Sequence, residues 1–391
     1  MISVADATGR LLSLVSPLGA EEVALRRAAG RVLAREVRAR HAQPPFPASA
    51  MDGYAVSGEA PAVGATFRLV GTSAAGHPYA GAVRPGEAIR ILTGAAIPDG
   101  ADRVVIQEDV EAEGAAIRIA RAPGDETHLR PAGGDFAAGF AMPAGTLLGS
   151  RTVALLAAMG HGAVPVRRRP VVAIVMTGDE LRAPGEPLGP GQITASNGYG
   201  LAAMLEDAGA DARLLPVARD DAARLAAALR LGAGADLIVT VGGASAGDHD
   251  IVAGTAGEAG LEMSFHKVAM RPGKPLLAGR LGDAALVGLP GNPVSSIVCG
   301  VIFLLPMVRR MLGLDPSVPT RRLPLGAPVG ANGPRAHYMR AREADGTCVP
   351  EPRQDSSLLS VLARANLLLL RPPGDEARPA GELVEVIDLP R

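Results

Sequence analysis

The most chemically suggestive stretch of the chain runs from Asp236 to Asp250 and reads DLIVTVGGASAGDHD. Its opening run, Asp236 to Val241, has the length and the Ile, Val and Thr content of a buried central strand. Glycines in the following loop allow backbone N–H groups to approach a ligand closely. These glycines are Gly242, Gly243 and Gly247. With its acidic end, the loop predicts a site for an anionic ligand and a divalent cation, although a glycine-rich turn with an Asp capping the next helix explains it equally well.

Other polar loops follow neighbouring predicted strands. The carboxyl ends of parallel strands meet at one edge of a sheet, so these loops can converge on one ligand. Glycines beside helix starts offer N–H donors for phosphate, and Arg271 and Lys274 offer positive charge. Glu180 with Asp250 could hold Mg²⁺, which binds one or two carboxylates together with substrate oxygens and water. The loops carry Thr177-Gly178-Asp179-Glu180, Ser196-Asn197, Asp220, Gly242 to Asp250, Arg271-Pro272-Gly273-Lys274-Pro275 and Pro290-Gly291-Asn292-Pro293.

Several common catalytic motifs do not occur in the sequence. It contains no GxxxxGK[ST] phosphate-binding loop and no strand-coupled GxGxxG, which argues against ordinary NTPase and dinucleotide sites. It also has no GxSxG nucleophile elbow, and no His is placed to serve Ser245 as a base. His249 is better explained as a solvated loop residue than as a metal ligand. A phosphate-bearing ligand bound with magnesium fits these observations.

Composition limits the class of protein. A chain of 391 residues predicts roughly two to three domains. Lys plus Arg (39) nearly balances Asp plus Glu (40), so no overall charge recruits nucleic acid or an anionic membrane. Cys299 and Cys348 lie far apart and outside any Cys/His cluster, which argues against a disulfide framework and structural zinc. No secretion signal is recognised, so a cytoplasmic location is expected, and the apolar run Val294 to Val308 is predicted to be a core helix.

The first 168 residues combine two kinds of pattern. Apolar residues from Val4 to about Arg40 recur at helical spacing and predict two short helices broken near Pro17. From His41 to about Gly149 the pattern changes to short β-like runs divided by Gly and Pro, which is typical of a small β domain or barrel. A helical segment returns at 152–160, so the β domain is predicted to be inserted between two helical pieces. The β-like runs are Thr66 to Val70, Ala88 to Leu92, Arg103 to Gln107 and Ala116 to Ala120.

From Val171 to about Leu314 strands and helices alternate. Fully apolar strands such as Val171 to Met176, connected by helices, predict a mainly parallel sheet covered on both faces. A strand is also expected near Leu214 to Val217. The Pro-rich remainder, 318–391, has short apolar runs and predicts a small C-terminal β domain. The predicted fold class is therefore multidomain, α/β and β.

Seven motifs in this order resemble the molybdopterin molybdenumtransferase family, which includes MoeA and the E domain of gephyrin. They are SAMDGYAV, RILTGAAIPDGAD, TGDEL, SN before a helix, GGASAGDHD, RPGKP and LPGNPVSS. The resemblance covers nearly the whole chain. It implies an enzyme that takes adenylylated molybdopterin and molybdate, cleaves the adenylate with Mg²⁺, releases AMP and yields molybdenum cofactor.

The resemblance also implies roles for individual residues. The implied catalytic residues are Asp52, Thr93, Asp135, Glu180, Asp220 and Asp250, with Glu180 and Asp250 as metal ligands. The implied substrate-binding residues are Thr177, Gly178, Asp179, Ser196, Asn197, Gly242, Gly243, Ser245, Gly247, Arg271, Lys274, Pro290 and Pro293. Family members usually carry Lys at the position of Arg271, so the charge is kept while the geometry of that contact differs.

The resemblance further implies a domain plan and an assembly. The plan has a split elongated helical domain (1–40 and 141–168), an inserted β domain (41–140), a three-layer α/β molybdopterin-binding domain (169–315) and a C-terminal β barrel (316–391). A homodimer is implied in which the β domain of one subunit faces the α/β domain of the other, so that the active site is shared.

Two alternative functions remain open at this point. The first is molybdopterin adenylyltransferase, whose α/β domain is similar but usually stands alone. The second is a scaffold that anchors a peptide partner, as gephyrin does. Molybdopterin adenylyltransferase and molybdoenzyme maturation proteins are expected partners, whereas nucleic acid and membranes are not.

Overall fold

The computed structural model describes residues 1–243 and 251–390, and the chain divides into two compact units. The α/β unit comprises Met1–Glu21, Gly30–Ala34 and Val166–Arg391. The β unit comprises Glu22–Ala29 and Arg35–Pro165.

A six-stranded sheet forms the centre of the α/β unit. In spatial order its strands are Asp211–Leu214 (β2), Val171–Met176 (β1), Leu237–Val241 (β3), Ala284–Leu289 (β6), Leu277–Leu281 (β5) and Glu262–His266 (β4). The pairs β2/β1, β1/β3 and β3/β6 are parallel, and the last two pairs are antiparallel. The central position of β3 and the mainly parallel sheet confirm the prediction from the sequence.

Both faces of this sheet are buried, which explains why its strands are continuously apolar. On β1, Val172, Ile174 and Met176 belong to one core cluster, whereas Ala173 and Val175 belong to another. Successive side chains of a strand point to opposite faces, so each cluster receives alternate residues. The helices of the unit are Val4–Ser13, Asn197–Asp207, Ala222–Leu231, Ile251–Glu258, Pro293–Cys299, Leu305–Met311 and Leu359–Leu362.

One helical run of 19 residues, Pro293–Met311, contains a π-helical segment at Gly300–Leu304. Pro306 lies two residues after this segment. It has no N–H to donate and its ring crowds the carbonyl one turn earlier, and the wider π turn accommodates both effects. The run is apolar and long enough to cross a membrane, but 78% of its apolar window is buried inside the protein. It is a core helix, as the sequence predicted.

A second sheet lies in the C-terminal part of the α/β unit. The short strand Met270–Arg271 pairs in parallel with Ala336–Ala344, so the loop that carries Lys274 is joined to this sheet. The C-terminal β prediction is confirmed as a six-stranded sheet. Its strands are Met270–Arg271, Arg321–Pro324, Ala336–Ala344, Thr347–Pro350, Leu367–Arg371 and Leu383–Asp388.

The β unit contains its own six-stranded sheet, with buried clusters around Tyr54 and Ala55. All four β-like runs predicted for this region are strands in the structure. Its strands are Gly53–Val56, Thr66–Ser73, Glu87–Ile91, Arg103–Ile106, Val110–Glu113 and Ala116–Ile119. The unit also contains the helix Ser150–Ala158. Shorter strands elsewhere in the chain are Ala20–Ala24, Val37–Arg38, Ala48–Ser49, Leu129–Arg130, Ala141–Met142, Ala163–Arg167, Leu181–Arg182 and Ile193–Thr194.

Two local predictions were wrong. The second N-terminal helix does not form; instead Ala20–Ala24 is a strand and Leu25–Arg27 is a single 3₁₀ turn. The Leu25 N–H donates to Gly162 O at 2.9 Å, so a distant segment satisfies the backbone, and Gly30 has a left-handed φ of 75°. Tertiary pairing thus overrides a high local helix propensity. The strand expected near Leu214 ends there rather than beginning there.

Candidate active site

A cleft of the α/β unit lies at the carboxyl ends of β1, β3 and β6 and has a volume of about 1130 Å³. Its position confirms the expectation that the loops of this edge converge. The predicted site residues that line it are Thr177, Gly178, Glu180, Ser196, Asn197, Asp220, Gly242, Gly243, Pro290 and Pro293. Ser245, Gly247 and Asp250 lie outside the described residues, so their roles stay predictions.

Two consecutive glycines form a tight cradle after β3. Gly242 has φ 95°, and a Cβ built on it would lie 2.5 Å from the carbonyl oxygen of Thr177. Gly243 has φ 65°, and its Cβ would lie 2.8 Å from a methyl group of Val252. No other residue type fits both the backbone angle and the space at these two positions. The backbone angle and the packing therefore require glycine at both positions, and their approach to a ligand stays a prediction.

The hydroxyl of Thr177 is buried against this cradle without a partner. Thr177 is only 4% exposed, and its Oγ1 has no hydrogen-bond partner in the part of the chain that the structure describes. A buried hydroxyl that makes no hydrogen bond is energetically costly. Thr240, two residues before Gly242, has the same property, but it does not line the cleft.

Two carboxylates, Glu180 and Asp220, line the cleft and are exposed. Asp179 is not a lining residue; its Oδ1 instead accepts the backbone N–H of Asp220 at 3.4 Å and so helps to position the Asp220 loop. The neighbouring Asp221 caps the helix Ala222–Leu231 by accepting the N–H of Arg224. The acids of these loops thus divide into cleft residues and residues that hold the loops.

The C-terminal part of the chain contributes to the cleft through a link that the sequence did not reveal. Asn197 Nδ2 donates to the Gly291 carbonyl at 2.7 Å, and Asn292 Nδ2 donates to Ser356 Oγ at 3.0 Å. These bonds connect the loop 290–293, which precedes the core helix, to the helix Asn197–Asp207 on one side and to Ser356 on the other. The next residue, Ser357, lines the cleft. The sequence offered only a polar run at 353–357 as a signal.

Arg271 and Lys274 are exposed but are not among the residues that line the cleft, whereas their neighbour Pro275 is.

Arg340 was missed by the sequence reasoning. Its guanidinium is fully buried, and its Nε and Nη1 have no hydrogen-bond partner within the described ranges. Burial lowers the pKa of Arg340, Asp355 raises it, and the charge of Arg271 lowers it further.

His337 lies among these cations. It is opposite Arg271 in the parallel strand pair, and burial, Arg271, Arg340 and further arginines lower the pKa of His337 to about 4. The imidazole is therefore neutral near pH 7. The arginines around His337 include Arg340, whose buried Nη2 donates to the Arg353 carbonyl at 3.1 Å while its Nε and Nη1 lack partners among the described residues. The positive charge of these arginines makes this region attractive to an anion.

In the β unit the structure brings Asp52 and Thr93 together. Asp52 Oδ1 accepts the backbone N–H and the hydroxyl of Thr93, both at 2.7 Å. These bonds lower the pKa of Asp52, and the charge of Arg90 lowers it further. Arg90 is held by Gln107 Oε1 at 2.6 Å and lies 5.0 Å from the Tyr54 ring centroid. The Asp52 carboxylate therefore connects the loops that carry Asp52 and Thr93.

Asp135 is exposed in the same unit, and its backbone N–H donates to the Gln43 carbonyl at 2.9 Å. Across the described ranges of both units, no group of three or more His, Cys, Asp or Glu is arranged to hold a metal ion.

Comparison with known families accounts for most of the chain. Three family models match it: "MoeA N-terminal region (domain I and II)" at residues 2–160, "Probable molybdopterin binding domain" at 173–310 and "MoeA C-terminal region (domain IV)" at 322–389. The order of these matches agrees with the order of the sequence motifs.

Individual relatives span almost the full length. Molybdopterin molybdenumtransferase 2 of Mycobacterium tuberculosis is 38% identical over 384 residues, which is 94% of each chain. The Bacillus subtilis molybdopterin molybdenumtransferase is 32% identical over 99% of this chain and 94% of its own. A crystal structure of a molybdopterin biosynthesis MoeA protein from Pyrococcus horikoshii matches with a TM-score of 0.88, 29% identity and complete coverage of both chains. The chain belongs to the molybdopterin molybdenumtransferase family.

Proposed function

We propose that this protein inserts molybdate into adenylylated molybdopterin and releases AMP, with Mg²⁺ as cofactor. The observation that carries the proposal is the cleft itself, where a cradle of two left-handed glycines lies beside Glu180 and Asp220. Backbone N–H groups suit phosphate oxygens, and carboxylates suit a cation bound to them. Molybdenum cofactor biosynthesis is also the role that the names of full-length relatives indicate.

The donor set fits a magnesium ion that arrives with the substrate. Mg²⁺ keeps several waters and usually takes one or two carboxylates plus phosphate oxygens, so a cluster of three protein ligands is not needed. Glu180 would hold the ion together with Asp250, and Asp220 lines the same cleft. Bound there, Mg²⁺ would neutralise phosphate charge and polarise the bond that breaks.

Cleavage of the adenylate breaks a phosphoanhydride bond, adds one water, and leaves AMP and the molybdopterin phosphate as separate products. The protein's contribution is to fix the phosphates and to accept the proton of the attacking water. An exposed carboxylate at hydrogen-bond distance from that water serves as general base, and Asp220 is the residue we assign to this role. Asp179 then acts through Asp220, because it holds the Asp220 backbone.

We assign molybdate binding to the cationic region around Arg271. Arg271 and Lys274 provide exposed positive charge, and Arg340 adds buried N–H donors that the described residues leave without partners. Guanidinium groups favour oxyanions because their N–H groups form a planar fork. His337 is neutral at pH 7, so the positive charge of this region comes from the arginines and Lys274.

We also propose that the protein works in the cytoplasm as a homodimer with shared sites. Asp52, Thr93 and Asp135 belong to the β unit, whereas every residue that lines the cleft belongs to the α/β unit. A two-fold dimer offers each cleft the β unit of the partner subunit, and it produces two equal sites.

The deciding experiment measures AMP release from purified adenylylated molybdopterin, with molybdate and Mg²⁺ present, against EDTA and molybdate-free controls. We expect release that depends on both additions. If the chain instead consumes ATP to adenylylate molybdopterin, it is an adenylyltransferase. If it binds the substrate and releases no AMP, the scaffold interpretation is correct and the proposal is wrong.

A further inference from the structure

Ile193 is an exposed apolar residue inside the cleft. It lines the cleft but remains 54% exposed. Single exposed apolar residues on a convex surface need no explanation. Ile193 differs from them because a ligand in this concave site would cover it. Leu188 lies on the same segment, 181–194, and is 52% exposed, but it is not a lining residue and therefore offers a comparison.

The backbone fixes Ile193 beside the catalytic loop. The strands Leu181–Arg182 and Ile193–Thr194 pair in parallel, with Leu181 opposite Ile193. The Ile193 N–H donates to the Glu180 carbonyl at 2.8 Å, so the apolar side chain and a cleft carboxylate share one rigid corner. The β-branched side chain of Ile is itself stiff at χ1, so little freedom is lost when a ligand packs on it.

The cleft offers this apolar side chain several apolar neighbours. The apolar lining residues are Met176, Leu181, Ile193, Val241, Ile251, Pro275, Pro290 and Pro293. The polar part of the lining consists of the carboxylates Glu180 and Asp220 and the backbone of the glycine cradle. A ligand that matches both kinds of lining carries a flat apolar ring and an anionic group.

We propose that Ile193 determines specificity by packing against the face of a planar heteroaromatic ring of the substrate. The inference rests on the proposed function, because adenylylated molybdopterin carries two such rings, adenine and pterin, joined through phosphates. The face of either ring is apolar, while its edge carries the polar groups. Packing on Ile193 leaves the phosphates directed to the cradle and the acids.

The first test is kinetic. Ile193→Ser should lower kcat/KM for AMP release about fivefold, because covering about half of an isoleucine side chain with apolar surface changes affinity by roughly that factor. Ile193→Val keeps most of the apolar area and should lie within about twofold of the wild type. Leu188→Ser removes an equally exposed apolar side chain and should leave the rate unchanged. A wild-type protein that releases no AMP would reject the proposed function, whereas an active wild type with an equally active Ile193→Ser would reject only this inference.

The second test identifies the ring by equilibrium binding of AMP, ribose 5-phosphate and neopterin. Ribose 5-phosphate carries the phosphate and sugar of AMP without the base, so Ile193→Ser should not weaken it. Selective weakening of AMP assigns the adenine ring, and selective weakening of neopterin assigns the pterin ring. Equal weakening of ribose 5-phosphate, unchanged binding of both ring compounds, or a wild type that binds neither of them overturns the inference.

Discussion

Two threonines of the α/β unit form a matched pair for one decisive experiment. Thr177 and Thr240 are 4% and 0% exposed, and each has a hydroxyl without a hydrogen-bond partner in the described chain. Only Thr177 lines the cleft. Replacing either by Val removes the hydroxyl and keeps the branched shape. The two substitutions should therefore have the same effect on stability, and only Thr177→Val should impair function.

The expected magnitudes follow from burial. A buried polar group without a partner costs roughly 1–3 kcal/mol, so Thr177→Val and Thr240→Val should each raise the free energy of unfolding by about 1 kcal/mol after allowance for imperfect methyl packing. If a substrate oxygen is the missing partner of Thr177, its loss should weaken substrate binding by roughly 10-fold or more. Thr240→Val should bind substrate as the wild type does.

Urea unfolding followed by far-UV circular dichroism measures the first quantity, and the KM for AMP release measures the second. Thr177→Ser keeps the hydroxyl and removes the methyl group instead, so it should bind substrate as the wild type does. A destabilised Thr240→Val would show that the hydroxyl has a partner in solution and would refute the premise. A stabilised Thr177→Val with wild-type KM would show that the substrate does not use this hydroxyl.

The remaining predictions concern charge. Glu180→Gln should lower AMP release at least about 100-fold while the unfolding midpoint stays equal or rises, because it removes a carboxylate that is exposed in the cleft; a loss of stability would indicate a structural role. Lys274→Met should weaken molybdate binding, less so at high salt, whereas Lys267→Met, which changes the only other lysine, should not; equal effects would reject the assignment. The His337 pKa of about 4 lies below its unfolded value, so the unfolded chain binds this proton first, and stability falls as the pH drops from about 6.5 to 4. NMR titration of His337 should show this low midpoint, and added molybdate should raise it. Asp52→Asn chains mixed with Glu180→Gln chains and refolded should regain roughly a quarter of wild-type activity if sites are shared, and none if each chain closes its own.

The parts of the fold that the sequence predicted well are those whose signal is local. The strand Val171–Met176 is an uninterrupted apolar run, and both faces of its sheet are buried, so its bounds could be predicted to the residue. Gly242 and Gly243 were placed in the cleft by a general rule about the carboxyl ends of parallel strands. The prediction of a helix at Ala20–Ala24 was wrong for the opposite reason, because contacts with distant segments determine the conformation of these residues.

The site residues that sequence reasoning missed are connected over long distances in the chain. Asn292 and Ser356 are 64 residues apart, and no local sequence pattern near either residue indicates the hydrogen bond between them. Arg340 is a charged residue within the strand Ala336–Ala344, and its complete burial results from packing of the C-terminal sheet. Spacing rules describe neighbours on one helix or strand, so contacts between distant loops fall outside them.

Buried polar atoms without partners show where the protein accepts a cost in stability. Among the described residues they include Thr177 Oγ1 in the cleft and the Arg340 Nε and Nη1 beside Arg271. A fold selected for stability alone would satisfy or replace such groups, because each one costs more than a lost surface contact. The Thr177 cost lies at the proposed phosphate cradle and the Arg340 cost at the proposed oxyanion region, so among the described residues both donors are unpaired where an anionic substrate would supply acceptors. Thr240 does not line the cleft, so no ligand there can accept a hydrogen bond from its hydroxyl. Replacing Thr240 should therefore stabilise the protein without any loss of function.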